Sequence, residues 1–76
     1  RDLTEIVNRL YAENEFLKDI APSETPAKTI EAFIAVRNDA RKNKNWELAD
    51  NFRKALGKEG IILKDGQDGT VWSIED

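Results

Sequence analysis

The chain has 76 residues, no cysteine, no histidine and a formal net charge of −3. A length of this order supports one small domain with a thin core, worth roughly 3–5 kcal/mol of net stability. The missing residue types exclude disulfides, thiolate chemistry, the usual zinc ligands and any catalysis that needs imidazole.

The charge is unevenly placed. Residues 1–36 carry four basic and seven acidic side chains, residues 37–58 seven basic and three acidic, and residues 59–76 one basic and five acidic. A general polyanion binder is usually basic throughout; a basic middle in an acidic chain points to a small local contact. No apolar run is long enough to span a membrane, so no membrane partner is expected. Arg1 opens the chain in place of methionine, and the expectation is a processed piece of a longer protein without a signal peptide. The lack of cysteine fits a cytoplasmic source.

Residues 2–20, "DLTEIVNRLYAENEFLKDI", place Leu3, Ile6, Val7, Leu10 and Leu17 on one stripe at helical spacing, with Asp2 or Thr4 as the cap. "APSETP" ends this helix as a linker, and Pro26 suits the first turn of the next. A second helix is predicted over about Ala27–Lys42, buried through Ile30, Phe33, Ile34 and Ala40. Arg37 and Arg41 continue the Ile30–Ile34 stripe at the same four-residue step, which is unusual for cations. "KNKN" breaks that helix, and Asn45 caps a third over about Trp46–Lys58. At 100° per residue, Leu48, Ala49, Phe52, Ala55 and Leu56 share one face of it, and Trp46, Asp50 and Arg53 lie opposite. Gly60 is the expected C′ residue, followed by the hydrophobic Ile61.

Ile62–Lys64 and Thr70–Ile74 are short β-rich runs around the turn sequence "DGQDG". They predict a hairpin in which Trp72 and Ile74 share one face, with Val71 and Ser73 on the other. An isolated hairpin is marginal, so one face must pack on the third helix. The expected fold is therefore α+β and mostly helical, three helices followed by a C-terminal β-hairpin packed on the third helix. The division read from the sequence is 1–26 as a terminal helix plus linker and 27–76 as a small α+β domain.

Each polar feature has an ordinary structural explanation. A tryptophan in a first helical turn usually packs on a neighbour. Asp50 and Lys54 form a common i,i+4 pair. Arg37 and Arg41 can lay their stems on apolar surface and pair with Asp50 or Asp65. "DGQDG" lacks the ligand spacing and closing glutamate of a calcium loop, so no metal site is expected. Taken together, the same residues read differently. Unpaired RNA bases are recognised by stacking on aromatics and by hydrogen bonds to their edges. A carboxylate complements the N1–H and N2–H₂ donors of guanine, and arginine serves a phosphate, a base acceptor or a stacking plane. An outward Trp46 beside Asp50 and Arg53, with Arg41 on the preceding helix and Asp65 in the turn, supplies all three.

Order and spacing add to this. Arg37, Ala40–Arg41, the Lys42–Lys44 bend, Ala49–Asp50 with Arg53 three on, Gly60–Ile61, Leu63, Asp65, Gly69–Thr70 and Trp72 resemble, as an ordered set, the C-terminal end of cysteinyl-tRNA synthetases. The resemblance covers residues 30 to 74. It implies a class I aminoacyl-tRNA synthetase parent that joins cysteine to its tRNA using ATP, and a C-terminal domain that reads an anticodon beginning with guanine. Residues 1–26 would then close the family's helical-bundle region, and the domain's partners would be the cysteine-specific tRNA at its anticodon loop and the parent's catalytic and helical-bundle domains. By motif match, Arg41, Trp46, Asp50 and Asp65 carry the anticodon contacts, and Arg37, Arg53 and Trp72 support them or hold the domain together. The family's ATP-binding histidines and zinc site have no counterpart in this sequence, so the resemblance implies binding without catalysis and no cofactor in this piece, with ATP and zinc belonging to the parent. The turn departs from the family pattern: Asp68 stands where threonine or proline is common, an unfavourable charge beside an RNA backbone. The alternative reading is a protein-interaction module that docks through the Leu3, Ile6, Val7 and Leu10 stripe.

Overall fold

The computed structural model of the chain describes residues 2–75. Helix α1 spans Leu3–Glu13 and is capped by Asp2, whose Oδ1 accepts the Thr4 N–H at 2.8 Å. The helix stops earlier than its apolar stripe predicts. Asn14 turns extended, and both its backbone N–H and its side-chain amide donate to the Leu10 carbonyl at 3.0 Å. An asparagine that bonds a carbonyl one turn back competes with helix propagation. Residues Glu15–Asp19 continue as a short 3-10 helix that still buries Leu17. There Phe16 meets Phe52 edge-on at 5.1 Å, and the Tyr11 hydroxyl donates to the Ile20 carbonyl at 2.6 Å, closing the turn.

Helix α2 spans Pro26–Lys42. Thr25 is its N-cap, accepting the Lys28 N–H, and Pro26 sits in the first turn, where a missing N–H costs nothing. The buried Thr29 hydroxyl donates to the Thr25 carbonyl and accepts the Ser23 N–H, so a polar group enters the core fully satisfied. Lys44 takes a positive φ of 61° in the bend that follows, and Asn45 caps helix α3, Trp46–Lys58, through the Leu48 N–H. At the far end Gly60 adopts φ 82°, the left-handed conformation a C′ glycine supplies, and Ile61 folds back into the core.

Strands β1 (Ile61–Gly66) and β2 (Gly69–Ile74) form an antiparallel hairpin around a two-residue turn, with Ile61 opposite Ile74, Leu63 opposite Trp72 and Asp65 opposite Thr70. Period-2 alternation puts those six residues on the face turned to the helices, while Ile62 and Val71 stay exposed on the other. The turn is Gln67–Asp68 alone: Asp65 belongs to the strand.

One core collects Ile6, Leu10 and Leu17 from the N-terminal segment with Ile30, Phe33, Phe52, Leu56 and Ile61. It takes in residues from both sides of position 26. Full burial of side chains this size contributes about 1.5–3 kcal/mol each. The α1 stripe is thus already used: Ile6, Val7 and Leu10 are buried against the chain's own core and only Leu3 is half-exposed. That overturns the expectation that the stripe is a docking surface. Arg9 adds a polar tie, donating from Nε to Glu59 at 2.8 Å and joining α1 to the C-terminal end of α3.

Candidate nucleic-acid interface

The helical face that continues the Ile30–Ile34 stripe delivers Arg37 and Arg41, one turn apart, to β1. Arg37 is 7% exposed, so its guanidinium needs a compensating charge within reach. Asp65 supplies it. Arg37 Nη1 donates to Asp65 Oδ1 at 2.7 Å and Nη2 to Oδ2 at 3.0 Å, a two-pronged pair. Arg41 Nη1 donates to Oδ2 at 2.8 Å. Thr70, placed beside Asp65 by the hairpin register, donates its hydroxyl to Oδ1 at 2.8 Å. Asn38 closes the ring: its side-chain amide donates to the Thr70 hydroxyl at 3.1 Å, and its carbonyl oxygen accepts from Arg37 at 2.8 Å.

Each Asp65 oxygen therefore accepts two hydrogen bonds, the full capacity of a carboxylate. The Arg37 and Thr70 hydrogen bonds hold its carboxyl well below the usual range, against the smaller opposing effect of burial. The sequence places Asp65 among the candidate anticodon contacts; in the fold it also clamps two arginines. Arg41 differs from Arg37 in holding Asp65 with a single hydrogen bond from a half-exposed side chain, so its other donors have no partner among the described residues.

Trp46 stands next to Arg41 and is 60% exposed. Its indole stacks on no other ring among the described residues. One exposed apolar side chain needs no explanation by itself. What distinguishes Trp46 is its setting. On one side it lines a shallow depression with Arg41, Ala49, Asp50 and Arg53. On the other it and Arg41 line a second depression with Asn38, Lys42 and the hairpin residues Asp65, Gly66, Gly69 and Thr70. Asp50 lies one turn along α3 from Trp46 and Arg53 a further turn on, so stacking surface, acceptor and donor share one helix face, as the 100° spacing predicts. Asp50 is paired with Lys54 at 3.0 Å, an exposed i,i+4 contact worth a few tenths of a kcal/mol. The Arg53 side chain makes no hydrogen bond or ion pair among the described residues.

Arg41, Trp46, Asp50 and Arg53 thus come together at the surface; Asp65 reaches the surface beside Arg41, and Arg37 is buried next to it. Trp72 does not join them; it lies across from Leu63 and packs partly buried against the core. Sequence reasoning missed Asn38 and, as a site residue, Thr70. A two-residue turn would have placed Thr70 opposite Asp65. Nothing in the local sequence marks Asn38, whose role comes only from the approach of the hairpin.

Residues 26–72 match the family described as "Cysteinyl-tRNA ligase anticodon binding domain". The chain is similar to the cysteine–tRNA ligase of Vibrio parahaemolyticus, 42% identical over 95% of this chain and 16% of the relative. It is likewise similar to that of Vibrio cholerae, 40% identical over 95% of this chain and 16% of the relative, and to that of Tolumonas auensis, 49% identical over 76% of this chain and 13% of the relative. The chain thus spans about a sixth of the length of the curated relatives it matches. No solved structure matches it.

Proposed function

The chain belongs to the cysteinyl-tRNA ligase anticodon-binding family, and from that premise we propose that it binds the anticodon loop of the cysteine-specific tRNA and orients the tRNA for a catalytic domain elsewhere in a longer, cytoplasmic ligase. In this reading the chain itself performs no chemistry, and the ATP and zinc of the parent act outside it. The observation that supports it best is the exposed Trp46 indole flanked by an exchangeable carboxylate, Asp50, and by an arginine already pre-oriented, Arg41.

A guanine stacked on Trp46 presents N1–H and N2–H₂ toward Asp50, which gives up only a weak surface pair with Lys54 to accept them. Arg41 keeps one hydrogen bond to Asp65 and offers its remaining donors to a base acceptor or a phosphate. Asp65 and Arg37 act beneath it as positioning residues: holding Arg41 in place before RNA arrives removes part of the ordering cost of binding. Arg53 adds a donor at the rim, and Trp72 holds the hairpin against the core.

The test is an NMR titration of the labelled chain at low salt with two anticodon stem-loops, one carrying GCA and one altered only at the first base. The expected result is a shift of the Trp46 indole signal and of the amides near Arg41 and Asp50 with the first RNA and not the second. Equal, scattered shifts at lysine-rich positions with both RNAs would overturn the reading.

A further inference from the structure

A second concavity lies on the far side of Arg53, between α3 and β1. Its walls are Arg37 of α2, Arg53, Lys54 and Gly57 of α3, and Ile61, Ile62, Leu63 and Asp65 of β1, the Asp65 carboxylate being paired with Arg37 and Arg41. Three consecutive strand residues line it, so the groove runs along the outer backbone edge of β1, which has no neighbouring strand in a sheet of two. Arg37 and Arg53 border both this groove and the depression beside Trp46, so the two are continuous across one ridge.

Gly57 is the informative residue. It lies in the last turn of α3, one residue before the helix ends at Lys58, and glycine is the poorest helix former after proline. Its φ is not positive, and a Cβ built on it meets nothing within 4 Å, so no neighbour within the described fold requires glycine here. A side chain at this position would instead fill the groove. Glycine that the fold does not need, beside a cationic rim, marks close approach by something outside the fold. Lys54 and Arg53, whose side chain has no partner among the described residues, select a polyanion, and exposed Ile62 offers an apolar strip beside them.

We infer that the α3–β1 groove is a backbone track for the RNA strand that continues from the base stacked on Trp46, with Lys54 and Arg53 taking its phosphate and Ile62 its ribose. This rests on the anticodon-binding reading above and adds a coupling to it. Lys54 is the partner of Asp50, so a phosphate that draws Lys54 into the groove releases the Asp50 carboxylate for the base. Backbone and base recognition then reinforce each other through one exchange of ion pairs.

The experiment measures affinity of the 76-residue chain for the GCA stem-loop across a salt series, for wild type and for Lys54→Gln, Gly57→Gln and Trp46→Ala. Lys54→Gln is expected to lower the slope of log K against log salt by about 0.7, the value of one single-strand phosphate contact. Gly57→Gln is expected to raise the thermal midpoint, because glutamine is the better helix former, while weakening RNA binding about tenfold by occupying the track. Salt slopes and affinities unchanged in both groove variants, with binding still lost in Trp46→Ala, would overturn the track and leave the base-stacking site standing. A wild-type chain that does not bind the GCA stem-loop would overturn both.

Discussion

Replacing Asp65 by asparagine tests the central clamp, because it keeps the shape and removes the charge. Arg37 is almost fully buried and loses the anion that faces both of its terminal nitrogens. The new amide also turns donors toward Arg37 or Arg41, so at least one hydrogen bond is replaced by a donor–donor contact. Breaking a fully buried ion pair costs about 3–5 kcal/mol. The Asp65 side chain is 45% exposed, so water screens part of that loss, and about 2–3 kcal/mol is the expected cost. For a chain of this size that lowers the thermal midpoint by about 10–20 °C. Thermal unfolding followed by far-UV circular dichroism measures it, with Arg41→Gln as the control. Arg41 is half-exposed and holds Asp65 by one hydrogen bond, so its loss is expected within about 0.5 kcal/mol of wild type. Equal midpoints for the two variants would show that the buried Arg37 does not depend on Asp65, and the clamp argument would fail.

The same carboxylate sets a pH dependence. Its folded pKa lies below the unfolded value of about 3.9, so its contribution is complete above that pH and is lost as the pH falls further. The stability gap between wild type and Asp65→Asn should therefore be constant from about pH 5 to 8 and narrow toward pH 2; denaturant melts that keep a constant gap down to pH 2 would contradict it. Trp46→Ala should leave the melting curve unchanged while weakening the GCA stem-loop about 5- to 150-fold, the equivalent of about 1–3 kcal/mol per stacked base, by fluorescence anisotropy. Asp50→Ala should likewise stay folded and should reduce discrimination at the first anticodon base more than it reduces total affinity; a collapsed dichroism spectrum for either variant would mean that this face of α3 is structural. Asn45→Ala removes the α3 N-cap and should cost about 1 kcal/mol in a urea titration, with an unchanged dependence on denaturant.

Local chemistry settled much of the fold before any tertiary contact was known. Asp2 and Asn45 cap their helices through the backbone donors that their side chains are suited to accept from, and Gly60 ends α3 in the one conformation that favours glycine. Apolar spacing identified Ile30, Phe33, Ile34, Phe52 and Leu56 as core, because a helix turns by a fixed angle per residue. The same angle put Trp46, Asp50 and Arg53 on one outward face. Spacing could not show that Asn14 would stop the first helix, since Leu17 lies on the same stripe whether the chain continues straight or turns. Nor could it show that Ile6, Val7 and Leu10 were already claimed by α2 rather than available to a partner.

The clamp belongs wholly to the tertiary structure. Arg37, Asn38, Asp65 and Thr70 are separated by up to 33 positions and meet only because the hairpin register puts Thr70 beside Asp65 and the packing of β1 brings both to α2. Sequence order names residues capable of hydrogen bonding but not which of their lone pairs are already taken. The Asp65 oxygens are filled from inside the chain, by Arg37, Arg41 and Thr70, which no reading of sequence order could show. The sequence alone determined which residue types face outward; only the fold decided which of them still have bonds to offer.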